Sequence, residues 1–224
     1  WIVMLSSLSL RWHALPSNVR GSLWILLGSL IGAVMGGLIK FVGQRIPVFE
    51  ILFIRQLCVI AILSPALVRN YNTVFNTSSL HLHVMRGMFG VIAMAAGFTA
   101  LVYMPLAEAT AISFAKTLFT TVLAIIFLKE TVGIRRWSVT IVGFIGVLII
   151  IRPGTEAIND YALLALMSSL FVAGIMIVLR KLSQIDPALT IMAYQSCFVT
   201  AIMAGPALYF WVTPTWQEIA VIML

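Results

Sequence analysis

Apolar residues run through this chain in blocks of about 20, separated by short polar stretches. A helix of that length, rising 1.5 Å per residue, matches a bilayer's hydrocarbon core of about 30 Å. The pattern predicts seven complete spans, at 21–40, 47–68, 84–104, 105–128, 136–152, 160–180 and 187–211, and the start of an eighth near Trp216, cut off at Leu224. Residues 1–20 read as the tail of a cytoplasmic leader, because apolar residues come first and Arg11 and Arg20 follow, the reverse of a secretory signal. The expected fold is an all-α membrane protein, a multi-helix transmembrane bundle.

Composition strengthens that reading. Hydrophobic residues make up 62% of the 224 and charged residues only 9%, against about 25% charged in soluble domains. The net charge of +7 is explained by topology without nucleic acid. With the N-terminus in the cytoplasm, Arg11, Arg20, Arg69, Arg86, Lys129, Arg135, Arg136, Arg180 and Lys181 fall on the cytoplasmic side, and only Lys40, Arg45 and Arg152 on the other. That asymmetry is the positive-inside bias. Arg55 and Lys116 lie within spans. Cys58 and Cys197 sit in apolar segments and have neither a disulfide framework nor zinc spacing.

An internal repeat follows at an offset of 140. Residues 23–67 align with 163–208, so that Ser29 meets Ser169, Ala33 meets Ala173, Gln44 meets Gln184, Pro47 meets Pro187 and Lys40 meets Arg180, while "SPAL" returns as "GPAL". Five spans separate the copies. An odd number sends the second copy into the membrane from the opposite side, and inverted repeats of this kind are a recurring plan of secondary transporters.

The stretch "PLAEATAISFAKTLFTTVLAIIFLKETVGIRRWSVTIVGFIGVLIIIRPG" resembles the fourth and fifth helices of the EamA-type drug/metabolite transporters. Its most specific parts are "PLAEATAISF", "LKETVGIRRW" and "GFIGVLIIIRPG", and the resemblance extends over nearly all of residues 21–224. It implies a bundle of inverted five-helix repeats, ten helices in all, that exports or exchanges small metabolites. On that resemblance 21–152 is the first repeat, and 153–224 a partial second one, lacking most of helix eight and all of nine and ten. Relatives commonly carry Pro after the "SFAK"-like stretch, where this chain has Thr117. Without that Pro, helix four is expected to run straighter.

Lys116 lies eleven residues past Pro105, roughly 16 Å along the helix and so near the bilayer midplane. A lysine there costs about 2.5–3.5 kcal/mol on insertion scales, so it is expected to face a polar interior. At about 100° per residue, Ser113, Lys116, Thr117, Thr120 and Thr121 share one face and Ile112, Phe119, Val122 and Ile126 the other. The first face reads as the wall of a substrate cavity; interhelical hydrogen bonding is the alternative. The resemblance makes Glu108 a site candidate too, although a carboxylate three residues into a helix equally suits the positive end of the dipole. Arg55, about 12 Å into the second span, offers a planar fork for a carboxylate or phosphate, or a structural pair with Glu50 or Glu108. Its counterpart in the second copy is Gln195, beside Tyr194, and both are expected to line the same cavity. Gly28, Gly32 and Gly36 form a close-packing stripe. His81 and His83 lack further metal ligands and read as solvated loop residues.

Three classes of function compete. An enzyme would need a catalytic set, and the chain has no H-E-x-x-H, G-x-S-x-G or Walker loop. A structural scaffold leaves Lys116 unexplained. A secondary transporter, an exporter or exchanger working by alternating access at a midplane cavity, accounts for topology, repeat and buried cations together; a flippase for lipid or lipid-linked cargo is the alternative. The expected partners are a small-molecule substrate with an anionic group and membrane lipid, not nucleic acid, with a homodimer left open. No cofactor is expected. Proton coupling through Glu108 stays open beside exchange and uniport, and the bacterial cytoplasmic (inner) membrane is the expected location.

Overall fold

The computed structural model describes residues 17–129, 133–151 and 160–223. The chain forms two compact units, Trp1–Leu38 and Ile39–Leu224. The first contains the body of α1 (Ser17–Val42). The second holds the last turn of α1, then α2 (Val48–Arg69), the single turn α3 (Tyr71–Val74), α4 (Leu80–Tyr103), α5 (Leu106–Ser113), α6 (Ala115–Leu128), α7 (Ile134–Ile151), α8 (Asp160–Leu182), α9 (Ala188–Tyr209) and α10 (Trp216–Met223). The described residues are all-helical apart from turns and connections.

Among the described residues six helical stretches are long and apolar enough to cross a membrane: Val19–Val42, Val48–Arg69, Leu80–Tyr103, Leu106–Leu128, Asp160–Leu182 and Ala188–Tyr209. The span expected at 136–152 is helical as α7, but its described apolar stretch, Trp137–Gly146, is shorter than these six. Arg152, the expected junction at 153 and the leader's first sixteen residues lie outside the described residues.

Within the second unit α4 is the central element. On one side Ala100 and Met104 pack with Ala109 and Ile112 of α5 and Ala162 and Ala165 of α8. On another, Val102 joins Val48 and Leu52 of α2 and Val199 and Met203 of α9. At the opposite end of α2 and α9, Leu67 packs with Val74 and Ala193. Small residues let the backbones approach, which membrane helices need because lipid gives no hydrophobic drive between them. Gly87 lies under the Phe198 ring, Gly90 under the Gln195 amide and Gly174 under Phe89. Outward-facing residues stay apolar: Ile62 and Val68 on α2 are 76% and 78% exposed, as suits a surface solvated by lipid.

Polar contacts close the ends. Met104 is extended and Pro105 follows it, which stops α4. The Lys40 ammonium donates to the freed carbonyls of Leu101 (3.2 Å) and Met104, a cation at the negative end of a helix. The two turns aligned by the repeat have the same hydrogen bonds. Gly43 N donates to Ile39 O and Ser183 N to Leu179 O, both 2.8 Å; Ile46 N donates to Val42 O at 3.0 Å and Asp186 N to Leu182 O at 2.8 Å; Ile51 N reaches Pro47 O and Ile191 N reaches Pro187 O, both 3.2 Å. Pro65 and Pro206 both sit inside their helices.

Alanine is the better helix former by about 1 kcal/mol, yet Gly87→Ala is expected to destabilise the protein by about 1–3 kcal/mol through overpacking. Its Cβ would stand 2.6 Å from the Phe198 ring. Thermal melting in detergent checks this against Gly205→Ala, where an added Cβ meets nothing within 4 Å.

Candidate functional site

Helix four runs as one span, Leu106–Leu128, with its α-helical pattern interrupted at Phe114, which ends α5 and begins α6 while keeping right-handed helical dihedrals. Phe114 N donates to Ala111 O (3.2 Å) and Thr117 N to Phe114 O (3.0 Å), the tighter i→i−3 pattern of a 3₁₀ turn. The flanking hydroxyls bond back onto the helix: Thr110 Oγ1 to Leu106 O (2.8 Å), Ser113 Oγ to Thr110 O (2.7 Å), Thr120 Oγ1 to Lys116 O (2.6 Å) and Thr121 Oγ1 to Thr117 O (2.9 Å).

Beside the break lies a hollow of about 440 Å³, walled by α4, α5, the start of α6, α8 and Gln195 of α9. Its cations are Arg86 and Lys116, its hydroxyls Thr110, Ser113, Ser168 and Ser169, and no Asp or Glu is among its lining residues. Phe98, Met94 and Met176 supply apolar surface. Ser168 Oγ donates to Ala93 O (2.7 Å) and Ser169 Oγ to Ala165 O (2.9 Å). Arg86 Nη1 donates to Gln195 Oε1 at 2.8 Å, while its Nε is buried with no hydrogen-bond partner among the described residues.

The expected site residues divide. Ser113, Lys116 and Gln195 line this hollow. Lys116 also lines a neighbouring one of about 460 Å³ with Thr117, Thr120 and Thr121 against α7 and α8. The polar face thus spans two hollows that meet at Lys116. Arg55 is one layer back, its guanidinium 5.7 Å from the centroid of Phe98, with no ion pair to Glu50 or Glu108. Glu108 is exposed in the first turn of α5, outside the lining of these hollows. Tyr194 is turned away from Gln195: its ring stacks on His83, 4.4 Å between centroids, and its hydroxyl donates to Phe75 O at 3.3 Å.

One assignment needs correction. His83 is not a solvated loop residue; it is 3% exposed and pairs with Asp186 at 2.8 Å. It was missed because "HLH" is too polar to extend the apolar run that starts at 84, whereas α4 begins at Leu80. Arg86, inside the expected span and counted with the cytoplasmic cations, lies in the wall of the hollow. A signal existed all the same. His83, Gly87, Gly90, Ala93, Ala96 and Ala100 are all buried, at helical steps of three and four that continue one packing stripe upstream.

A hollow walled by membrane helices and lined by cations and hydroxyls suits the binding of a small solute. The EamA-like transporter family model matches residues 19–152. The chain belongs to that family, within the drug/metabolite transporter superfamily. Among its relatives, a protein of Rickettsia prowazekii (strain Madrid E) named S-adenosylmethionine uptake transporter is 31% identical over 212 residues, 94% of this chain and 72% of that one. A riboflavin transporter of Vibrio cholerae serotype O1 is 26% identical over 221 residues, 97% of this chain and 73% of its own. A pseudopaline exporter of Pseudomonas aeruginosa is 27% identical over 164 residues, 73% and 57% of the two chains. The EamA chain is therefore an integral, multi-pass membrane protein and a small-molecule transporter, not an enzyme.

Gln195→Leu would remove the acceptor of the Arg86 guanidinium. A loss of about 1.5–3 kcal/mol, typical of a charge-assisted hydrogen bond, is expected in detergent melting, and Gln195→Glu is expected to keep most of the stability.

Proposed function

We propose that this chain carries small organic metabolites bearing an anionic group through the hollow at Lys116, by alternating access. One observation carries the reading: two cations from different helices, Arg86 and Lys116, line one hollow of about 440 Å³ with no acidic residue among its lining. A cargo carboxylate or other anion meets a planar guanidinium fork and a point-charge ammonium there, and the methionines and Phe98 take its apolar body. Relatives named for S-adenosylmethionine, riboflavin and pseudopaline support cargo of metabolite size.

The matching turns at 42–47 and 182–187 support a repeat, and five spans between the copies give the second the opposite orientation. Two halves rocking about a shared site expose it first to one side and then to the other. The 3₁₀ turn at Phe114 gives the wall that carries Lys116 a place to hinge. The basic bias of the segments around Arg69 and Lys181 supports a cytoplasmic N-terminus in a bacterial inner membrane. Relatives named for uptake and for export match at comparable identity, so direction follows from gradients across an exporter or exchanger.

Counterflow into proteoliposomes containing the complete native protein tests this, using pooled amino acids, nucleoside derivatives and organic anions. Lys116→Ala and Arg86→Ala are each expected to lower kcat/KM for the cargo by at least about tenfold, the loss of one charge-assisted hydrogen bond, with the protein still monodisperse. Lys116→Arg should recover part of it. Saturable uptake left unchanged by both alanine variants would remove these cations from the cargo site. Absence of uptake of every pooled solute at any pH gradient would favour the flippase alternative.

A further inference from the structure

Two polar clasps join early and late segments of the second unit, and the offset of 140 relates them. In the α1–α2 turn, Arg45 donates to Glu218 at 2.6 and 2.7 Å and to Thr213 O at 3.0 Å, at the start of α10. In the equivalent α8–α9 turn, Asp186 accepts from Thr77 Oγ1 at 2.7 Å and pairs with His83 Nε2 at 2.8 Å, at the start of α4. Asp186 is the offset partner of Ile46, and past the one-residue slip that sets "SPAL" against "GPAL" Glu218 is that of Thr77. Each turn therefore holds the beginning of the other copy's corresponding helix. The clasps lie at opposite ends of α2 and α9, because Val48 packs with Met203 at one end and Leu67 with Ala193 at the other.

Their chemistry differs. Arginine keeps its charge, and the hydrogen bond it donates to Glu218 pushes the Arg45 pKa further up. Histidine is the side chain whose charge changes near neutral pH. The side chains of His83 and Asp186 are only 2% and 9% exposed, and His83 Nδ1 is buried without a hydrogen-bond partner among the described residues. Several groups face the pair. Tyr194 of α9 stacks on the imidazole, and Thr77 and Phe75 approach from the α3–α4 connection. Arg86 of α4 and Arg180 of α8 line the same hollow as Asp186, of about 640 Å³. That hollow shares Arg86 and Met176 with the central one, so the two adjoin at the α8–α9 end.

The geometry points to the His83–Asp186 pair as a proton-binding site that shuts the cargo path at the α8–α9 end, a role that rests on the transport reading above. A proton taken from water on that side turns the hydrogen bond between a neutral imidazole and the Asp186 carboxylate into an imidazolium–carboxylate pair, which strengthens the clasp. Its loss weakens the clasp and lets that end open. The Arg45 clasp shuts the other end without responding to pH.

The test uses the complete chain in oriented vesicles, with Cys58→Ser and Cys197→Ser, and with Ser168→Cys as reporter in the central hollow. Membrane-impermeant sulfonatoethyl methanethiosulfonate is added on the α8–α9 side. Between about pH 8 and about pH 6, labelling of the His83 protein relative to His83→Gln at the same pH is expected to fall at least about fivefold, an ordinary coupling factor. Asp186→Asn should lose the same response, and it decides the matter if His83→Gln fails to fold. Arg45→Gln should raise labelling from the other side equally at both pH values. A pH response that persists in both clasp variants overturns the assignment. Counterflow that fails while pH-gated labelling survives removes the transport reading and leaves the clasp standing; intact counterflow with labelling indifferent to pH removes the clasp alone.

Discussion

Hydrocarbon cannot solvate a guanidinium or an ammonium, and that single constraint arranges most of the second unit. Charges inside the spans must meet protein dipoles, one another or an aqueous hollow. Arg86 meets the Gln195 amide, Arg55 meets the face of Phe98, and Lys116 stands where two hollows join. Gly90 lies directly beneath Gln195, so the absence of a side chain on α4 is what lets the amide reach the guanidinium. Packing and electrostatics are therefore coupled at one position: a larger residue there would displace the acceptor as well as crowd α9.

The same constraint bears on the 3₁₀ turn in helix four. Hydroxyl groups inside a span need acceptors, which in lipid only protein supplies. Thr110, Ser113, Thr120 and Thr121 donate to carbonyls of the same helix, and Ser169 of α8 adds a contact to Ile112 O at 3.3 Å. The polar face therefore has two duties. Its hydroxyls are satisfied by the backbone around the turn, and the same residues surface the hollows.

The two turns match in their backbone more than in their side chains. Val42–Pro47 and Leu182–Pro187 share backbone hydrogen bonds, yet their side chains diverge, with Arg45 and Ile46 in one and Ile185 and Asp186 in the other. Common backbone geometry fixes where each turn sits relative to its helices. Divergent side chains then give the two ends different polar contacts, arginine with glutamate at one and histidine with aspartate at the other.

The sequence by itself determined the class and most span positions, and it put Ser113 and Lys116 on one polar face. Those follow from apolar run length and helical period, which are local or near-local properties. Tertiary structure decided the rest. Helical period alone could not place Tyr194 against His83 or draw Arg86 into the wall, because "HLHVMR" acquires its helical neighbours only by packing on α8 and α9. Nor could it leave Glu108 outside: its exposure follows from the way α5 turns Ala109 and Ile112 inward against α4 and α8. Which polar group finds a partner depends on helices more than 100 residues apart in the chain meeting at one point, and no window along the sequence contains that distance.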